Sequence, residues 1–167
     1  MKRVYLALGS NVGDREANLR TAIRKLHRRD LRVSRISSVY ETAAVYYLDQ
    51  PDFLNCVVEA DTVLFPMRLL LRVSKIERSM GRKRLVPKGP RNIDIDILLH
   101  GSSIVDTPQL KIPHPRMGER RFVLEPLAEL APDLRHPVEQ RTIREMLAGA
   151  PKQRIVKVAS PLDVALD

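Results

Sequence analysis

A chain of 167 residues that is 44% apolar and 29% charged suits one globular domain with one core, expected over 1–167, and is too hydrophobic to stay disordered. No apolar run nears the ~20 residues that span a bilayer, and the start, Met1 to Leu8, is too short for a secretory signal, so a cytoplasmic protein with no membrane partner is expected. The net charge of +9 calls for an anionic partner without choosing among nucleic acid, an acidic surface and a polyanionic small molecule.

Residues 3–8 read as a strand, Gly9 to Gly13 as a turn, and Asp14 as the cap of a helix over 15–28 with Leu19, Ala22, Ile23 and Leu26 on its apolar stripe. Leu31 to Glu41 alternate and predict one continuous second strand. A linking segment without period runs from Thr42 to Asp52. Phe53 to Val63 predict a third strand, in which Cys56 is a small buried apolar residue; this one cysteine excludes an internal disulfide framework. Pro66 suits the first turn of a second helix, Leu69, Val73, Ile76 and Met80 share one of its faces, and Gly81 stops it. A fourth strand is expected over 92–99. A short strand near Ile104, a Pro-rich stretch over 108–115, short helices over 124–131 and 142–149, and a small strand over 154–158 complete the chain. The main order, strand–helix–strand–strand–helix–strand, predicts an α+β, ferredoxin-like βαββαβ sheet with two helices on one face and short C-terminal helices.

The fourth strand carries the most informative pattern, Ile93-Asp94-Ile95-Asp96-Ile97. Side chains at i and i+2 of a strand share a face, so three isoleucines enter a core and two carboxylates stand together on the other side. Two like charges ~6–7 Å apart repel by roughly 2–3 kcal/mol at an effective dielectric of about 20. One aspartate in that position would ordinarily face bulk water; a pair beside many cations is read as a metal or phosphate site. The cations are Arg78, Arg82, Lys83, Arg84, Lys88 and Arg91, with no acid between Arg78 and Arg91. A solvated basic loop is the bland alternative.

Two loops, 42–52 and 81–91, are longer than a small domain needs, which suits lids or binding loops. Guanidiniums on such a lid grip phosphates bidentately, and carboxylates on the adjoining strand suit Mg²⁺ bridging those phosphates. Gly9 to Gly13 lacks the Gly-Lys-Ser/Thr ending of a P-loop. His114 stands between two prolines and ahead of Arg116, Arg120 and Arg121; a structural role and a phosphate contact both fit it. Phe53 and Phe122 fit core packing or a sandwich around a flat heterocycle, and Asn55 shares the Phe53 strand face, where it could read a ring edge.

These segments together resemble the 6-hydroxymethyl-7,8-dihydropterin pyrophosphokinase family over about residues 3–137. The resemblance is carried by Leu8-Gly9-Ser10-Asn11, Asp49 to Asn55, Gly81-Arg82-Lys83-Arg84, Gly89 to Leu98, Ile112 to Met117, Glu119 to Leu124 and Pro126-Leu127-Ala128. It implies transfer of diphosphate from ATP to the hydroxymethyl group of a dihydropterin, with release of AMP, in folate biosynthesis. It also implies a ferredoxin-like fold and two Mg²⁺ ions; small-molecule partners only, no nucleic acid, and a monomer are expected. By the same resemblance, Asp94 and Asp96 hold metal and act in catalysis with Arg82 and Arg91. Glu77, Arg82, Arg84, Arg91, Ile97, His114 and Arg120 meet the nucleotide; Thr42, Val45, Phe53, Asn55 and Phe122 meet the pterin. Against the family pattern, Lys88 replaces a frequent Trp, Ala43 and Ala44 replace a frequent proline, Phe53 replaces Tyr, and Gly118 replaces His.

An RNA-binding module on a similar sheet is the rival. Its stacking motif is absent, aromatics are only 4%, and it leaves the aspartate pair unexplained, since carboxylates on the binding face repel a phosphate backbone.

Overall fold

The computed structural model describes residues 1–44, 49–81 and 92–167. Strand β1 (Lys2–Ser10) leads to helix α1 (Arg15–Leu26), strands β2 (Leu31–Ile36), β3 (Val39–Thr42) and β4 (Phe53–Thr62), helix α2 (Pro66–Ser79) and strand β5 (Asp94–His100). Two-residue strands β6 (Val105–Asp106) and β7 (Lys111–Ile112) pair with each other. A 3₁₀ turn at Met117–Glu119, helices α3 (Arg121–Leu130) and α4 (Ile143–Gly149), and strand β8 (Ile155–Ala159) follow. Among the described residues the result is a mixed α/β fold with four helices and a six-stranded antiparallel sheet of order β5-β1-β4-β3-β8, in which β2 also pairs with β4.

Local signals act as expected in the first half. Asp14 Oδ1 accepts the Ala17 N–H at 3.0 Å and caps α1. Leu19, Ala22, Ile23 and Leu26 are its buried face. Leu69, Val73 and Ile76 play the same part in α2, and Gly81 at φ +76° ends that helix.

Both faces of the sheet are covered. One core joins Val4, Leu6, Leu8, Leu54 and Val58 to α1 and α2; a second joins Tyr5, Val57, Leu98 and Leu99 to α3 and α4. Ile93, Ile95 and Ile97 enter the first core, as the alternation predicts. The alternation then breaks. Leu6 lies opposite Ile97 and Tyr5 opposite Leu99, so Leu98 is an extra residue, and this bulge sends both leucines into the second core.

Three expectations are corrected. Gly9 and Ser10 belong to β1 rather than to the following turn. The strand expected over 31–41 is two strands, broken at Ser37-Ser38. There the Ser37 hydroxyl accepts the Val57 N–H at 2.8 Å, and Glu129 Oε2 on α3 accepts both the Ser38 N–H and its hydroxyl at 2.9 Å. The Ser37 N–H still donates to the Val57 carbonyl at 2.9 Å, and side chains replace the neighbouring ladder bonds. Helix α3 starts at Arg121, three residues ahead of the expected start, for a reason that lies in the C-terminal segment.

Beside the sheet, Glu59 is 3% exposed yet well partnered. Tyr5 Oη donates to it at 2.9 Å, Ser34 Oγ at 3.0 Å and Arg35 Nε at 3.3 Å, and Arg3 lies at 3.3 Å. Burial raises the carboxyl's pKa, but hydrogen bonds from Arg35, Tyr5 and Ser34 outweigh it and hold the pKa below its ordinary 4.5. Burial, with the Glu59 hydrogen bond, pushes the Tyr5 hydroxyl up to about 12. A folded-state pKa below the unfolded one contributes stability above pH 4.5 that disappears as pH falls through the folded value. Glu59→Gln is therefore expected to cost about 2 kcal/mol at neutral pH. The gap from wild type in urea unfolding should close as pH drops below 4.5. A gap independent of pH would mean that charge plays no part.

Candidate active site

Where β1 ends and β4 and β5 begin, the sheet opens into a cavity of about 320 Å³. Its floor is a row across three strands. Gly9 on β1 is level with Asn55 on β4 and with Asp94 on β5; one step on, Ala7 is level with Val57 and Asp96. Residues level across antiparallel neighbours point to the same face. The central strand therefore presents almost no side chain between the two carboxylates on one flank and Asn55 with Phe53 on the other. A Cβ on Gly9 would stand 3.0 Å from Asn55 Oδ1 and 3.4 Å from Phe53 Cδ1. Any larger residue there would press on both side chains.

Leu70, Val73, Ser74 and Glu77 of α2 form one wall, Thr42, Ala43, Ala44 and Gln50 another, and His114, Arg120 and Phe122 a third. Asn55 Nδ2 donates to Thr42 Oγ1 at 2.8 Å, and both residues are buried. Asn11 Nδ2 donates to Gln50 Oε1 at 2.8 Å and to the Pro51 carbonyl at 3.0 Å, which fastens the approach to β4 onto the end of β1. Arg120 lies 5.7 Å from the Phe122 ring centroid. Glu77 is 8% exposed, and its Oε2 accepts the Ile95 N–H at 2.9 Å. Strand β5 is the edge of the sheet, so Glu77 satisfies an edge donor midway between Asp94 and Asp96. Burial pushes the Cys56 thiol up to about 12, so this cavity residue is a neutral thiol near pH 7 and a poor nucleophile.

The structure brings together Asp94, Asp96, Glu77, His114, Arg120, Thr42, Phe53, Asn55 and Phe122 around one cavity. Ile97 is not among the lining residues; its side chain, 5% exposed, belongs to the core shared with α1 and α2. Val45, Arg82, Arg84 and Arg91 lie outside the described residues. Sequence reasoning took Gly9 for a turn and so missed its place in the floor. It also missed Leu70, Val73 and Ser74, which lie along the face and flank of an amphipathic helix and carry no separate signal. Among the described residues no group of three or more His, Cys, Asp or Glu side chains is arranged to hold a metal; the acidic flank is a pair.

Fold and cavity define a mixed α/β protein with a ligand-sized cleft between an acidic strand edge and an aromatic wall. Residues 5–132 match the model of the 7,8-dihydro-6-hydroxymethylpterin-pyrophosphokinase family, and the chain belongs to that family. It is 45% identical over 145 residues to the 2-amino-4-hydroxy-6-hydroxymethyldihydropteridine pyrophosphokinase of Aquifex aeolicus, covering 87% of this chain and 90% of that protein. It is 43% identical to the folic acid synthesis protein fol1 of Schizosaccharomyces pombe over 92% of this chain, but spans only 21% of that longer protein. A crystal structure of wild-type Plasmodium falciparum HPPK-DHPS with pteroate shares the fold, with a TM-score of 0.73 at 19% identity, over 88% of this chain and 42% of that one.

The Glu77 contact makes a direct prediction. Glu77→Ala leaves the Ile95 N–H without that acceptor, at an expected cost of about 1–3 kcal/mol. Glu77→Gln keeps an oxygen there and should recover most of it. Equal losses in thermal unfolding would assign the effect to the charge instead.

Proposed function

We propose that this chain transfers the terminal diphosphate unit of ATP to the hydroxymethyl group of 6-hydroxymethyl-7,8-dihydropterin, giving AMP and the pterin diphosphate, in folate biosynthesis. Family membership supports the reaction. The observation that carries it in this chain is the floor row, in which an aspartate pair faces Asn55 and Phe53 across Gly9 and Ala7. Such a groove suits a ligand flat and weakly polar at one end and polyanionic at the other.

At the aromatic end, Phe53 and Phe122 suit the two faces of a pterin, which favours offset stacking. Asn55, steadied by Thr42, offers amide groups to the ring's edge. Val45 is assigned to the same end through the resemblance. At the acidic end the donor set is two carboxylates on one strand face, which fits Mg²⁺: a small hard cation that takes few protein oxygens and keeps water and phosphate oxygens as its other ligands. Asp94 and Asp96 would hold two such ions, which when bound neutralise phosphate charge and lower the barrier to attack.

Glu77, His114 and Arg120 line the cavity and are read as nucleotide contacts. Arg82, Arg84 and Arg91, outside the described residues, are assigned by sequence to the phosphates, where planar guanidiniums suit developing charge. In the step itself, the hydroxymethyl oxygen forms a bond to the β-phosphorus and the bond from that phosphorus to the α–β bridging oxygen breaks. AMP leaves with the electron pair, and the hydroxyl proton is lost to solvent. Cys56 offers no nucleophile for a covalent alternative.

The strand order β5-β1-β4 with β2 and β3 outside it, together with α1 and α2 on one face, is read as a ferredoxin-like sheet extended by β8. The chain is taken as one domain over 1–167, monomeric and cytoplasmic, serving small molecules alone. No helix among the described residues is long and apolar enough to cross a membrane.

Protein mixed with ATP, Mg²⁺ and the pterin alcohol should release AMP; release of ADP, or product formed without Mg²⁺, overturns the reading. Asp96→Ala should abolish turnover while the melting temperature stays near wild type, and activity within about tenfold of wild type would refute the metal role. Arg82→Ala should lower kcat more than it weakens ATP binding; an effect confined to KM would count against a role in the transition state.

A further inference from the structure

Arg121 stands between two cavity residues, Arg120 and Phe122; apart from an ion pair with Glu125 at 3.7 Å along its own helix, its bonds lead to the C-terminal segment. Its guanidinium donates to the carbonyl oxygens of Leu147 at 3.3 Å, Ala150 at 3.1 Å and Pro151 at 3.3 Å. These lie at and just beyond the end of α4, where carbonyls attract a cation; Leu147 also accepts the Ala150 N–H at 3.2 Å. Its backbone N–H, at the first position of α3, donates to Gln153 Oε1 at 2.9 Å. Arg120, the residue before the helix, supplies no side-chain cap. The first turn of α3 is thus capped by a side chain 32 residues away. This explains why the helix begins ahead of any local start signal.

Two residues after Gln153 the chain enters β8, where Ile155 lies opposite Thr42 and Val156 opposite Glu41. Thr42 is the acceptor for Asn55 in the cavity. Residues 147–155 therefore touch both sides of the aromatic end: the α3 turn that carries Phe122, and the β3 end that orients Asn55. All of them lie beyond residues 5–132, the part matched to the family.

We propose that Gln153 and Arg121 are positioning residues for the pterin: they pin the α3 turn, and through β8 the end of β3, so that Phe122 and the Thr42–Asn55 pair keep their places in the cavity wall. This rests on the pyrophosphokinase reading of the cavity. Neither residue touches the ligand; each acts through residues that do. Loss of the clamp should then weaken capture of the pterin more than the chemistry on it.

Two measurements separate the possibilities. Hydrogen–deuterium exchange needs no substrate and reads the clamp alone: Gln153→Ala should speed exchange at 121–124 and 40–42, and unchanged exchange overturns the clamp even if the protein proves to catalyse another reaction. In steady-state AMP release, Gln153→Ala should raise KM for the pterin about fivefold, the value of one lost hydrogen bond, with kcat within about twofold and a smaller change in KM for ATP. Gln153→Glu keeps the acceptor oxygen beside a helix N-terminus and should restore wild-type KM. Arg121→Lys should not rescue Arg121→Met, because one ammonium cannot reproduce the guanidinium fork over three carbonyls. Faster exchange or a lower melting temperature with an unchanged pterin KM would make the contacts structural only and refute the proposal. Should Gln153→Ala fail to fold, the Arg121→Met and Arg121→Lys pair decides by the same KM criterion.

Discussion

At the mouth of the cavity the middle strand of the floor gives up its side chains. Gly9 sits level with Asp94 and Asn55, and a methyl group there would press on Asn55 Oδ1 and Phe53. Ala7, one step along, has only a methyl to place between Asp96 and Val57. A sheet packed on both faces, as this one is, normally fills every such position. Leaving two neighbouring ones nearly bare opens a trough whose flanks are set by the outer strands, one acidic and one amide and aromatic. The rest of the site is arranged around that trough. Glu77 secures the edge strand that carries the acids, and Thr42 fixes the amide on the opposite flank.

The walls come from elements that meet only when the second layer of helices is in place, and two carboxylates with several donors each hold that layer down. Glu129 on α3 accepts the Ser38 N–H, the Ser38 hydroxyl and the Tyr40 hydroxyl, at the gap between β2 and β3. Glu59 on β4 gathers Tyr5, Ser34 and Arg35, and Arg35 also donates to the Leu130 carbonyl at the end of α3. Glu59 is buried and Glu129 exposed, and each has several donors, which is what makes a carboxylate such as Glu59 tolerable away from water. They act as tethers between sheet and helix and leave the cavity free of their charge.

Much of the candidate site was legible from residue order. The Ile-Asp-Ile-Asp-Ile alternation placed the isoleucines in a core and the acids together, and the structure does the same. Phe53 and Asn55 share a strand face for the same reason. Ile97, expected beside the nucleotide, follows the alternation too and sends its side chain into the core. Resemblance to a family points to a position; the strand's period decides where that side chain goes. The expectation of one strand over 31–41 failed because Ser37 and Ser38 find donors and acceptors on residues distant in sequence, Val57 and Glu129.

Periodicity, caps and turn residues act between near neighbours, so the chain by itself determined most of its strands, the faces of α1 and α2, the pairing of the two aspartates and the family. Contacts between distant residues carry no local signature. Only the folded chain decided that Gly9 would be floor rather than turn, that a bulge at Leu98 would shift β5 from one core to the other, and that Gln153 would start a helix 32 residues before it. In each case the deciding partner lies on another segment of the chain, and its distance and angle exist only once the sheet has closed.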